Sequence, residues 1–245
     1  MKILLLVYGE YRGANIATKT WNILNRDVDV LIHTQSESRY NVAKKNIFSN
    51  KNIQVEDLKN LFGECNVYLE SIDEYTRTNP NDDINLNIRS FRFLYKKICD
   101  VILDYDIVAI SRLDSTFYIH DLDKFIKEYD TDTLYVNETV QQRKEGNFIQ
   151  DHCYIGSSKI IDRFLKNLPD TIIDSHHEIG DYVLNNFKHD VWDGFSSIHL
   201  RMNMHEIFEN FFSTNGSIKN NDIEYRDFFS RFMQETHLNL EREIK

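Results

Sequence analysis

Ile107-Val108-Ala109-Ile110-Ser111-Arg112-Leu113-Asp114 carries the strongest structural signal in the chain. An unbroken apolar run rich in β-branched residues reads as a strand buried on both faces, as in the middle of a parallel sheet. The run ends in a cation and a carboxylate. Open α/β sheets bind their ligands at that carboxyl edge. A carboxylate placed there is suited to a metal, and an arginine to a phosphate. The alternative is local: Asp114 caps a turn and Arg112 pairs with a surface carboxylate.

Working outward, Ile3 to Val7 is a second continuous apolar run and Val28 to Ile32 a third, with a shorter one at Val67 to Leu69. Between them, residues 14–25 and 55–62 carry apolar residues at near-helical spacing. The clearest helix is predicted over 86–103, where Ile88, Phe91, Tyr95, Ile98 and Ile102 form one stripe. Further strands are expected at 117–119, 134–136 and 148–155, and further helices at 121–129, after Ser157 or Ser158 as N-cap, and at 177–187. Helical candidates at 204–212 and 224–240 close the chain. Strands alternating with helices predict an α/β domain whose early strands are parallel.

The chain has 245 residues, 41% of them hydrophobic, which suffices for one large core. With 8 Gly and 2 Pro, long disordered linkers are not expected. A net charge of -10 argues against a general nucleic-acid binder, which needs a basic face. Cys65, Cys99 and Cys153 are widely spaced and odd in number, which predicts neither a disulfide framework nor structural zinc, and suits a reducing compartment. The first apolar run is too short to span a membrane and lacks a cleavage-site pattern, so it reads as a strand. The expectation is a cytoplasmic protein without a transmembrane segment, with peripheral membrane association left open.

Several segments carry chemistry-bearing residues. Tyr8-Gly9-Glu10-Tyr11-Arg12 follows the first strand, where a Tyr is suited to stack on a base and an Arg to meet a phosphate. It lacks the GxGxxG pattern of a dinucleotide site, and it serves equally as an ordinary loop. His33 and Thr34 end the second strand and can both line the same crevice, although His33 serves equally as a cap on the strand end. Arg89 is a further cation suited to phosphate. Asp151 precedes a strand, and Glu178 lies at the start of a helix. Either can act as a general base, although an acidic residue at a helix N-terminus is also favoured by the helix dipole alone. His176 and His177 show no zinc spacing, while a late histidine, His199 or His205, can complete a metal site, a reading to which the spacing alone lends little weight.

Taken in order, these segments resemble a family of small bacterial and viral glycosyltransferase-like proteins with a GT-A fold. The resemblance rests on Gly9-Glu10-Tyr11-Arg12, Asp29-Val30-Leu31-Ile32-His33-Thr34, Tyr105-Asp106-Ile107-Val108, Arg112-Leu113-Asp114, Asp151 to Gly156, and Glu178. It covers roughly residues 1–200 and leaves 201–245 as a C-terminal helical appendage, packed on the same domain. It implies a GT-A-like α/β domain with a mixed, mostly parallel sheet flanked by helices. It implies a nucleotide-sugar donor, first of all a UDP-sugar, held by Tyr8, Gly9, Arg12, Thr34, Arg89 and Arg112. A Mn²⁺ or Mg²⁺ ion bound to Asp114 would stabilise the leaving diphosphate. The sugar would pass to a glycan or other hydroxyl, as in polysaccharide biosynthesis, with Asp151 or Glu178 as the base if the reaction inverts. The chain departs from the pattern at one point: where the metal motif Asp-x-Asp has its first carboxylate, this sequence has Arg112.

That departure motivates an alternative, a non-catalytic GT-A-like protein that binds a glycan or a partner. A third class, a nucleotidyltransferase, calls for a Gly-rich or basic triphosphate loop, and the sequence has none.

Overall fold

A computed structural model describes residues 1–9, 11, 14–36, 53–71, 86–137, 141–143, 146–148, 153–170, 176–192 and 195–196. The helices predicted at 204–212 and 224–240, the appendage at 201–245, and His199 and His205 lie outside the described residues. The first strands are β1 (Ile3–Tyr8), β2 (Val28–Gln35), β3 (Asn66–Glu70) and β4 (Ile107–Arg112). Later come β5 (Tyr118–Ile119), β6 (Leu134–Val136), β7 (Gln141–Arg143), β8 (Gly146–Phe148), β9 (Cys153–Ser157), β10 (His189–Val191) and β11 (Phe195–Ser196). The helices are α1 (Ala14–Ala17), α2 (Val55–Phe62), α3 (Leu86–Ile98), α4 (Leu122–Glu128), α5 (Ser158–Lys166) and α6 (His176–Asn186).

The main sheet has seven strands in the order β10-β6-β9-β4-β1-β2-β3. β1 pairs in parallel with β2 and β4, β2 with β3, and β6 with β10. Among the described strands of this sheet only β9 is opposed, pairing antiparallel with β4 and β6. The fold is therefore α/β with a mixed, mostly parallel sheet flanked by helices, as expected. After β3 the chain returns to the other side of β1 to make β4. The order reverses there, which makes the carboxyl ends of β1 and β4 a topological switch point.

Side chains alternate across the strands, so each apolar run feeds two cores. Leu4, Leu6, Val108 and Ile110 pack with Ile88, Phe91 and Leu94 of α3, Ile161 and Phe164 of α5, and Ile179 and Val183 of α6. Ile3, Leu5, Val7, Ile107 and Ala109 pack on the other face with Trp21, Phe117, Leu58 of α2, and Phe125 of α4. This is why Ile3 to Val7 of β1 and Ile107 to Ile110 of β4 are apolar at every position: neither face meets water.

Some predicted boundaries move, each for a physical reason. α3 ends at Ile98, and a separate 3-10 turn follows at Ile102–Asp104. Within the stripe Tyr95 is only partly buried, and its hydroxyl donates to Asp162 at 2.9 Å, while Leu94 fills the core. Residues 14–25 form one short helix and two 3-10 turns rather than a continuous helix. The strand expected over 148–155 divides into β8, paired with β7, and β9. Ser157 is the N-cap of α5, accepting from the Ile160 amide at 3.3 Å. Gly156 permits this turn from strand to helix. A Cβ at Gly156 would stand 2.5 Å from Ile160 Cγ2 and 3.1 Å from the Thr133 carbonyl oxygen.

Candidate functional site

The carboxyl ends of the central strands form a band of buried polar residues. In register across the sheet stand Arg112 on β4, Tyr8 on β1, His33 on β2 and Tyr68 on β3. Beyond them the chain leaves β1 through Gly9, whose φ of 93° is left-handed and natural only to glycine. Thr34 Oγ1 donates to the Gly9 carbonyl at 2.5 Å, and the Leu113 amide donates to the Tyr8 carbonyl at 2.7 Å. The ends of β1, β2 and β4 are thus laced together by hydrogen bonds that continue past the sheet.

Arg112 and Asp114 meet each other. Arg112 Nε donates to Asp114 Oδ1 at 3.0 Å and Nη2 to Oδ2 at 3.3 Å, a two-pronged contact. Asp114 is wholly buried and Arg112 is 7% exposed. A buried ion pair of this kind is hard to take apart. Removing one partner takes a two-pronged contact from a charge buried in a medium that solvates it poorly, at about 3–5 kcal/mol. Both charges expected at this site are therefore present and buried, but they neutralise one another.

The loop that carries Asp114 is clamped from the other side by residues 20–22. Trp21 Nε1 donates to the Ser115 carbonyl at 2.9 Å, and Thr20 Oγ1 accepts from the Phe117 amide at 3.1 Å. Asn22 pairs with both backbone groups of Ile119, donating at 2.7 Å and accepting at 3.1 Å. These bonds satisfy the backbone of an irregular segment where water does not reach. The sequence offers no local signal for them, because each partner is almost a hundred residues away.

A second polar group lies at the ends of β2 and β3 under α3. His33 Nδ1 is 2.8 Å from Ser90 Oγ, and its Nε2 is 3.6 Å from Glu70 Oε2. The imidazole is stacked on Phe93 with centroids 4.2 Å apart. Glu70 forms an ion pair with Arg89. Burial, and after it the positive charge of Arg89, pulls the His33 pKa down to about 4, so the ring is neutral near pH 7.

Gln35 ends β2 at 2% exposure, and neither atom of its amide has a hydrogen-bond partner among the described residues. Ser115 Oγ is likewise buried without one. A buried donor or acceptor left unmatched costs about 1–3 kcal/mol. Such groups are few in folded proteins, and each calls for an account in strain, a catalytic role, or a bound water or ion. The only sequence signal for Gln35 is its position, one residue past Thr34 at the carboxyl edge.

The other predicted residues are placed as follows. The Tyr8 ring is buried edge-on to Phe91 at 4.5 Å, inside the core rather than on a surface open to a base. Glu178 is exposed in the first turn of α6. Arg12 and Asp151 lie outside the described residues. None of the three cysteines, all of them described, forms a disulfide.

The geometry at Asp114 does not fit a resident divalent cation. Both carboxylate oxygens face the Arg112 guanidinium, and a dication would have to sit against that fixed positive charge. Among the described residues, no group of three or more His, Cys, Asp or Glu is arranged to hold a metal ion. No helix among them is long and apolar enough to cross a membrane. The chain matches no protein-family model and no curated protein.

Proposed function

We propose that the chain is a GT-A-like glycosyltransferase that takes a sugar from a nucleotide diphosphate, first of all UDP, and passes it to a hydroxyl of a glycan or similar acceptor. The observation that carries this reading is the band of buried polar groups at the switch point between β1 and β4. The unmatched amide of Gln35 and hydroxyl of Ser115 belong to that band. A strand order of β3-β2-β1-β4 followed by one opposed strand is compatible with a GT-A sheet. Ligands of open α/β sheets collect at this edge, and an unmatched amide there is complementary to a base, which offers a donor beside an acceptor.

In this reading the donor diphosphate lies across the ends of β1 and β4, against Gly9, Thr34 and Arg112, with Arg89 and Arg12 as further cations. An inverting transfer needs a carboxylate to take the proton from the acceptor hydroxyl, and that role falls to Asp151 or Glu178. Titration calorimetry with UDP-, GDP- and dTDP-sugars tests the donor site, and no binding of any nucleotide sinks it. Asp151→Asn and Glu178→Gln should separate the two candidates: the true base loses turnover by about a hundredfold or more while donor affinity stays.

A second reading is favoured by one observation. Arg112 neutralises the carboxylate that metal-dependent transferases use, which suits a protein that kept the fold and binds a glycan or partner without catalysis. That protein would bind glycans and show neither transfer nor hydrolysis of any nucleotide sugar.

A further inference from the structure

Resting on the donor-site reading above, we infer that Arg112 is a built-in cation, so that this site binds nucleoside diphosphates without a divalent metal. A carboxylate at this edge would ordinarily serve by holding a cation, which in turn holds the diphosphate. In this chain the seat on the carboxylate is filled. Arg112 Nε and Nη2 reach both Asp114 oxygens at 3.0 and 3.3 Å. Asp114 is fully buried, so an incoming aquated ion would have to shed its water to reach a carboxylate already neutralised.

The order of groups is preserved while the central cation changes from a divalent metal to a monovalent guanidinium. In one case the order is carboxylate, metal, diphosphate; in this chain it is carboxylate, guanidinium, diphosphate. A guanidinium is planar, permanently charged and forked, and it recognises phosphate as well as carboxylate. Asp114 engages it through one edge and so fixes the plane in which it meets phosphate oxygens. Asp114 then acts as a positioning residue for Arg112 rather than as a metal ligand. The surroundings are consistent: the turn is locked by the Leu113 amide on Tyr8 and by Trp21 on Ser115. The pair therefore has little freedom to open for an ion.

The test is calorimetric titration of the full chain with UDP, GDP, CDP and dTDP, once in EDTA and once in excess Mn²⁺. At least one nucleotide should bind in EDTA, with a Kd within about threefold of its value in Mn²⁺. Binding that appears only with Mn²⁺, or that tightens about tenfold or more with it, overturns the inference and leaves the donor-site reading standing. Absence of binding under both conditions overturns the donor-site reading and the inference with it. Arg112→Asp supplies the converse: binding in EDTA should be lost and should return with Mn²⁺. Arg112→Lys keeps the charge without the fork, and its weaker binding should remain indifferent to Mn²⁺. A gain of metal dependence in Arg112→Lys would count against the inference. The wild-type comparison requires no variant to fold.

Discussion

At the amino edge of the sheet, polar side chains meet at the surface; at the carboxyl edge they are sealed inside. The amino edge has the Tyr105 hydroxyl donating to the exposed Asp29 at 2.8 Å, and Asp106 accepting from the Lys2 amide at 2.6 Å. Burial and the Asp29 hydrogen bond hold the Tyr105 pKa up at about 12. These contacts join the starts of β1, β2 and β4, and water stands ready to replace any of them. The carboxyl edge of the same strands holds Arg112, Asp114, His33 and Gln35, each at 7% exposure or less. There, water cannot substitute for a lost partner. The difference teaches that one edge tolerates polar groups as fastenings, while the other carries them at a cost in stability. Such a cost is what a binding site imposes on a fold.

The contrast can be broken in several places. The largest effect is expected from Arg112→Met, which removes the guanidinium that contacts both oxygens of the buried Asp114 carboxylate. Denaturant unfolding should show a loss of about 3–5 kcal/mol, and Asp114→Leu added to it should restore much of that. If the single variant is as stable as wild type, the pair is not the buried, mutually dependent unit described.

Next is the pH response of His33. Its folded pKa lies near 4 and its ordinary value at 6.5, so the unfolded chain binds the extra proton between those limits. Its neutral burial therefore contributes stability that is complete above pH 6.5 and drains away as pH falls toward 4. The contribution is about 3 kcal/mol at most. Unfolding curves across that window should be distinctly flatter for His33→Gln than for wild type. Parallel curves would mean that His33 is not held neutral by the fold.

Gln35→Leu should move stability the other way. Replacing an unmatched buried amide with a hydrocarbon of similar size is expected to raise stability by about 1–2 kcal/mol while weakening nucleotide binding. Loss of stability together with unchanged binding would show that the amide is a structural group. The smallest effect belongs to the amino edge. Tyr105→Phe should cost about 1 kcal/mol or less and leave any ligand affinity untouched, because solvent rehydrates Asp29. A larger loss would erase the distinction between the edges.

The layers of the fold were legible in the sequence because they depend on local pattern. The apolar runs at Ile3 to Val7 and Ile107 to Ile110 became the two central strands, and the stripe at Ile88, Phe91 and Ile98 became the face of α3. The carboxyl edge was legible as a place, and its partners were not. Arg112 and Asp114 read as two separate ligand-binding charges, since nothing in three residues reveals that the turn folds one onto the other. Tyr8 read as a stacking surface, and its ring went to Phe91, a residue of a distant helix. Thr20, Trp21 and Asn22 sat in a segment of helical spacing, and their importance comes from backbone groups on another loop. In each case the missing information was a contact far away along the chain.

That distance has a consequence for how the molecule is made. β1 can pair with β2 once the first 35 residues exist, but its other neighbour, β4, begins at Ile107. The Trp21 and Asn22 bonds span 94 and 97 residues. Until β4 emerges from the ribosome, Ile3-Leu4-Leu5-Leu6-Val7 presents one open, wholly apolar strand edge. Such an edge is a template for pairing with another chain, and closing so long a loop is slow. The nascent chain is thus most prone to aggregation before residue 112 is made, and the completion of β4 both closes that edge and assembles the polar band beside it.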